Sequence, residues 1–287
     1  METLKIALVQ MACTETPQVN LEKAIHESVG AAKRGAQIIC LQELFASTYF
    51  CQTEDSVNFN LAEPVPGPTI DRLAKTARDN KVVIIAPIFE KRGGGLYHNS
   101  AVVIDADGAI LGTYRKMHIP DDPLFYEKFY FAPGDLGFKT FQTRYAKIGV
   151  LICWDQWFPE GARLTAMGGA QILFYPTAIG WIENEAADYR PAQLEAWMTM
   201  QRSHAIANGV FVAAPNRVGR EGKIQFWGNS FVADPFGRVV AQAGGTKGET
   251  LIVPCDLGQV ESIRHDWPFL RDRRIDAYAG LTKRYLD

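Results

Sequence analysis

Short runs dense in Val, Ile, Leu and Phe recur along the chain, at Ile6 to Val9, Ile38 to Leu41, Val82 to Ile88, Ala101 to Ile104, Ile148 to Ile152, Ile172 to Tyr175 and Val210 to Ala214. Their apolar character is near-continuous instead of alternating, which predicts strands covered on both faces. Between several of them the period changes to that of a helix. Leu21, Ala24, Ile25, Val29 and Ala32 share one helical face, with Asn20 placed to cap the start and Gly35 to end it. A second helix is expected from Pro68, carrying Ile70, Leu73, Ala74 and Ala77 inward. A third should open near Pro159, since proline suits a helix's first turn, and stop at Gly168-Gly169. A fourth spans about Pro191 to Asn208.

Strands alternating with helices make this an α/β chain with layered sheets. The stretch Tyr97 to Gly112 reads instead as an antiparallel hairpin turning at Asp107-Gly108, so the sheets are expected to be mixed. No internal repeat, low-complexity tract or linker-like shift interrupts the pattern, and residues 1–287 read as one domain. Only the end stands apart. Residues 265–287 mix charge with aromatics (His265, Trp267, Phe269, then Arg271 to Arg274) and are expected to form an arm docked on a neighbouring subunit of a homo-oligomer.

Composition narrows the function. With 287 residues and 47% hydrophobic side chains the chain can build a large core, since folding at this size removes roughly three-quarters of the accessible surface from water. Thirty basic against thirty-two acidic residues leave a net charge of -2 and no basic footprint, which points away from nucleic acid and anionic membranes and toward a small-molecule partner. The apolar start, Leu4 to Gln10, is too short for a signal-peptide core or a membrane span. A cytoplasmic location is therefore expected, where Cys13, Cys40, Cys51, Cys153 and Cys255 stay reduced. An odd cysteine count without a CxxC pair, and five histidines without paired spacing, argue against a disulfide framework and a zinc site. No metal and no cofactor are expected.

Three polar residues sit where chemistry can use them. Cys153 closes the run Gly149 to Ile152, after which the chain turns toward the helix at Pro159. A thiol on such a strand-to-helix elbow projects from a sheet edge, near backbone N–H groups that favour a thiolate and can receive an oxyanion. Glu43 follows the strand at Ile38 among apolar neighbours, a setting that raises a carboxyl pKa and suits a general base. Lys116 follows the Gly108 hairpin. Taken singly, a buried thiol, a loop acid and a surface lysine are the commoner identities of such residues.

Together, Gln42-Glu43-Leu44, Tyr114-Arg115-Lys116-Met117-His118 and Ile152-Cys153-Trp154-Asp155, in that order, resemble the nitrilase superfamily. The resemblance runs on through Tyr126 to Phe131, Pro133-Gly134-Asp135 and Arg271 to Arg274. It implies a four-layer α-β-β-α sandwich that often assembles through the face bearing the helix after the nucleophile. It also implies Cys153 as nucleophile, Glu43 as general base, Lys116 as oxyanion stabiliser and Glu127 as a second carboxylate holding Lys116 and the substrate. An ammonium beside Cys153 is expected to favour the thiolate.

Within that superfamily the longest matches, such as Cys153 to Glu160 and Phe174 to Gly180, are to the branch that hydrolyses N-carbamoylputrescine. The expected reaction is hydrolysis of a non-peptide C–N bond in a small N-carbamoyl amine, with a β-ureido acid or other amide as the rival substrate. The match lapses at Asp122 to Phe125 and at Trp181 to Arg190. A diamine's distal ammonium calls for an acid there: Asp122, Glu183, Glu185 or Asp188. A carboxylate substrate calls for a cation, Arg190 or Arg202. Tyr49, Trp154, Glu183 and Asp122 are taken as the substrate-binding set, with Trp181 and Trp197 as further candidates for the wall.

Overall fold

The computed structural model describes residues 3–286; residues 1, 2 and 287 at the ends of the expected domain lie outside the described residues. The chain opens with β1 (Leu4–Gln10), α1 (Pro17–Lys33), β2 (Ile38–Leu41) and α2 (Pro68–Asn80), then the strands β3 (Val83–Gly93), β4 (Leu96–Ile104) and β5 (Ile110–Arg115). After the short α3 (Glu127–Tyr130) come β6 (Thr140–Gln142), β7 (Lys147–Val150), α4 (Pro159–Met167), β8 (Ile172–Phe174), β9 (Gly180–Ile182), α5 (Tyr189–Asn208) and β10 (Phe211–Ala214). It ends with β11 (Val218–Glu221), β12 (Ile224–Trp227), β13 (Phe231–Ala233), β14 (Val239–Gln242), β15 (Glu249–Cys255) and α6 (Gly258–Asp266).

Two mixed six-stranded sheets, β15-β1-β2-β3-β4-β5 and β14-β13-β10-β8-β7-β6, form the middle of the molecule, and β11-β12-β9 form a small third sheet. Near-continuous apolar strands are what such a stack requires. On β1, Ile6 and Leu8 belong to one apolar cluster with Ile148, Val150 and Phe174 of the second sheet, while Ala7 and Val9 belong to another with Leu21 and Ala24 of α1 and Leu73 of α2. The second sheet turns Leu173 and Val212 outward to Ala162 and Ala166 of α4 and Trp197 of α5. Successive side chains point to opposite faces, so both faces of each sheet are buried and the layers run α-β-β-α. Gly149 lets α4 close: a Cβ there would lie 2.2 Å from Thr165 Cγ2.

The helix expected to begin after Asn20 begins at Pro17, one turn earlier. Asn20 is buried inside it, accepting from the Thr14 N–H at 2.8 Å and donating to the Ala46 carbonyl at 3.1 Å, so it ties the neighbouring loops instead of capping. Gly35 ends the helix as expected, with φ +92°. The hairpin turns at Gly108. The small sheet and the late strands escape a periodicity reading because they are short and carry polar residues, as in Val218-Gly219-Arg220-Glu221. α6 runs to Asp266, and beyond it Trp267, Phe269, Ile275 and Leu281 stand exposed. Among the described residues no helix is long and apolar enough to cross a membrane.

Candidate active site

Strand direction brings the three catalytic candidates together. β2 runs parallel to β3, and β5 is antiparallel to β4, which is antiparallel to β3, so β2 and β5 leave the first sheet at the same edge. Glu43 lies two residues beyond β2, and Lys116 follows directly on β5. Cys153 lies three residues beyond β7 in the facing sheet, where the backbone turns through φ +43° into a 3₁₀ turn, Cys153–Trp157. A positive φ at a residue other than Gly stores strain and is typical of a nucleophile held on an elbow. Its own N–H is fixed to the Pro176 carbonyl at 2.9 Å.

Lys116 is wholly buried between two carboxylates. Its Nζ donates to Glu43 Oε1 at 2.8 Å and to Glu127 Oε2 at 2.7 Å. Asn99 Nδ2 donates to the same Glu43 oxygen at 2.7 Å, and Tyr49 Oη donates to Glu127 Oε1 at 2.7 Å. Glu43 Oε2 is buried with no hydrogen-bond partner. A bare carboxylate oxygen out of water is costly unless it has a proton to receive. Burial pushes the Lys116 ammonium toward neutrality, but Glu127 and Glu43 outweigh it and hold the pKa well above the ordinary range. Burial pushes Glu127 up, with Lys116 opposing and Glu43 adding to the rise.

Cys153 departs from the sequence expectation. Burial first, then the charge of Glu43, lift its thiol pKa well above the ordinary value, and Lys116 only partly offsets them. A shift in this direction favours the neutral thiol, so activation calls for a base. Because a raised pKa keeps the proton on sulfur at every pH below it, the ultraviolet thiolate band of the wild type minus that of Cys153→Ala should stay flat from about pH 6 to pH 8. A thiolate band at neutral pH in that difference spectrum would contradict this.

Asp155 bolts the nucleophile's turn to the lysine's strand. Its Oδ2 accepts from the Ile152 N–H at 2.9 Å and from Tyr114 Oη at 2.7 Å, while Oδ1 accepts from the His118 N–H at 3.0 Å. A contact from the helix layer comes from α5: Gln156 Oε1 accepts from Trp197 Nε1 at 2.8 Å, and the His204 ring nitrogen meets the Gln156 carbonyl at 2.8 Å.

A cavity of about 380 Å³ opens over Cys153, with Trp154, Trp157, Ile182 and Trp227 among its walls. Asp122 and Trp154 line it, as does Glu185. Glu183 does not. It sits in a separate surface cleft, paired with Arg220 at 2.5 Å, because β9 ends at Ile182 and the chain turns outward before Glu185 turns back. Glu185 accepts from Gln193 Nε2 and, at 3.4 Å, from the Ile182 N–H. Tyr49 lies outside the lining and acts on Glu127 from behind. Trp197 is buried in the core, and Trp181 lies with Arg190 in the same surface cleft as Glu183. Arg202 donates to the Gly237 carbonyl at 2.8 Å, away from the cavity. Among the described residues no Arg, Lys or His lines the cavity. Asn99 was missed by sequence reasoning; its signal was the polar triplet His98-Asn99-Ser100 leading into the apolar run at Ala101.

A family model described as carbon-nitrogen hydrolase matches residues 5–265. The chain is 47% identical over 285 residues to an N-carbamoylputrescine amidase of Solanum lycopersicum, covering 96% of this chain and 94% of that protein. It is 40% identical over 290 residues to a citrullinase of Francisella tularensis, covering 99% and 100% of the two. A carbon-nitrogen hydrolase of Helicobacter pylori G27 has the same structure at a TM-score of 0.96 and 46% identity, covering 99% of this chain and 100% of that one.

Proposed function

The chain belongs to the carbon-nitrogen hydrolase family, and from that premise we propose that it hydrolyses N-carbamoylputrescine to putrescine, ammonia and carbon dioxide through a thioester-type intermediate on Cys153. One observation carries the choice of substrate: besides Glu127, already held by Lys116 and Tyr49, the cavity over Cys153 is lined by the carboxylates Asp122 and Glu185, and no Arg, Lys or His among the described residues lines it. A protonated amine at the far end of the substrate meets an acid there. A β-ureido acid brings a carboxylate into the same space with no cation of the lining to pair it, and citrulline brings one beside its own ammonium, at a desolvation penalty that favours the amine.

In this reading Glu43 Oε2 takes the Cys153 thiol proton as sulfur attacks the ureido carbon. Lys116 Nζ and the Trp154 N–H, at the start of the 3₁₀ turn, stabilise the tetrahedral oxyanion. One C–N bond breaks, and the departing nitrogen takes the proton from Glu43. Water then gives a proton to Glu43 and attacks the thioester carbon; the C–S bond breaks, the departing sulfur takes that proton back from Glu43 to restore the thiol, and the carbamic acid released loses carbon dioxide. Glu127 keeps Lys116 charged and in place throughout.

The test is ammonia release from a panel of N-carbamoylputrescine, citrulline and a β-ureido acid, with Cys153→Ala as control. Higher kcat/KM on either carboxylate substrate sinks the diamine assignment while leaving the chemistry. Glu185→Gln and Asp122→Asn should each lower kcat/KM for N-carbamoylputrescine by about tenfold or more, the worth of one charge-assisted hydrogen bond. Unchanged kcat/KM in both variants would remove these acids from recognition.

We further propose a single catalytic domain that works as a homo-oligomer in the cytoplasm, in the polyamine-forming direction. Exposed Leu164 and Met167 on α4 lie on the helix layer that the C-terminal arm approaches through the Arg273 contact to Met167 Sδ, and a second copy would cover both. Five unpaired thiols fit a reducing compartment. Light scattering at micromolar concentration should give a multiple of the chain mass; a monomer would contradict the assembly.

A further inference from the structure

We infer that Arg217, clamped by Glu221, is a positioning residue that holds the loop from Glu43 to Tyr49 and thereby both carboxylates that grip Lys116. The inference rests on the reading of Glu43 as base and Glu127 as its partner. Arg217 is wholly buried in the connection between β10 and β11, outside the lining of the cavity. Its Nη2 donates to the Glu43 carbonyl at 3.1 Å and to the Leu44 carbonyl at 2.8 Å. Its Nη1 donates to the Ser47 carbonyl at 2.9 Å and to Glu221 Oε1 at 2.8 Å. Three carbonyls of one loop thus converge on one guanidinium.

The second half of the clamp reaches the other end of the loop. Glu221 Oε2 accepts from the Tyr49 N–H at 2.5 Å, and the Tyr49 hydroxyl donates to Glu127 at 2.7 Å. The loop needs such a hold because Leu44 sits at φ +48°, a conformation that a branched side chain avoids unless its surroundings impose it. A buried ion pair is a poor way to add stability, since well-packed apolar residues serve as well or better. Fixing a backbone segment by a rigid fork of donors is what a guanidinium does and an apolar side chain cannot. Glu221 ends β11, which pairs with β12, and β12 pairs with β9, the strand whose Gly180 and Ile182 form the cavity wall. The clamp therefore sets the general base against the wall that holds the substrate.

The experiment compares Arg217→Gln, Arg217→Lys and Glu221→Gln with Glu43→Gln on the best substrate of the panel, each variant's folded fraction set by circular dichroism and Cys153 titration. Arg217→Gln should lower kcat per folded enzyme about 100-fold with KM within about threefold, the signature of a displaced catalytic group. Arg217→Lys should recover part of that loss, and Glu221→Gln, which keeps its size and an acceptor, should lose about tenfold in kcat. If Arg217→Gln does not fold, Glu221→Gln carries the test. A folded Arg217→Gln or Glu221→Gln with wild-type kcat overturns the clamp, as does a loss in which only the folded fraction falls. Wild-type activity in Glu43→Gln would instead overturn the reading of the base on which the clamp rests.

Discussion

Replacing Glu43 by Gln is expected to lower kcat by about 10³- to 10⁴-fold while leaving the fold intact, at the upper end of what one general base contributes. The size follows from the thiol. Burial and neighbouring carboxylate charge keep Cys153 protonated, so the lysine cannot supply a thiolate unaided. Of the four carboxylate oxygens of Glu43 and Glu127, Glu43 Oε2 is the one without a hydrogen-bond partner among the described residues. A glutamine keeps an acceptor for Lys116 and Asn99 but is no base. Both halves of the reaction use Glu43, so acylation measured in a single turnover and steady-state hydrolysis should fall together, and alkylation of Cys153 by iodoacetamide should slow with them. Thermal stability should hold or rise, because two buried carboxylates around one ammonium repel each other and a constellation built for chemistry is seldom the most stable arrangement. Activity within tenfold of wild type would remove Glu43 from the base role.

How far the sequence carried this argument depended on distance along the chain. Each of Glu43, Lys116 and Cys153 follows an apolar strand, and strand ends are legible from local pattern, so their emergence at sheet edges could be anticipated. What could not be read was which edge: that requires β5 to run with β2, a consequence of the two antiparallel steps through β4. Burial outweighed one expectation whose direction held, since Lys116 does lower the Cys153 thiol's pKa. The ammonium next to Cys153 was expected to favour thiolate, yet both carboxylates that keep it charged also act on the sulfur, and desolvation adds to them. Of the acids expected near the substrate's distal end, Asp122 and Glu185 line the cavity and Glu183 does not, for a similar reason. Glu183 and Glu185 are equivalent in composition, and only the end of β9 at Ile182, followed by a turn, sends the first to solvent and the second back to Gln193. Arg217 had no local signal at all, since the three carbonyls it holds lie more than 160 residues away.

Lys116→Met is expected to cost both catalysis and stability, by separable routes. Hydrolysis should fall at least about 10³-fold, since the oxyanion loses its charged donor. Stability should fall by about 3–5 kcal/mol near neutral pH, because Glu43 and Glu127 are then buried side by side with no cation between them. The pH dependence gives the sign. Burial already pushes the Glu127 carboxyl above its ordinary value, and removing Lys116 takes away the charge that opposes the rise. A carboxyl whose pKa is higher folded than unfolded binds more protons in the folded state, so its penalty is absent below the unfolded pKa and grows as pH rises toward the folded one. The melting temperature of Lys116→Met should therefore climb as pH is lowered from about 8 toward about 5, and more steeply than that of the wild type, in which Lys116 opposes the rise of Glu127. Adding Glu127→Gln should restore much of the lost stability and none of the activity, since it removes one charge without returning the donor. A Lys116→Met protein that melts with the wild type at every pH, or a double variant that regains hydrolysis, would show that the lysine is neither the counterion nor the oxyanion's partner.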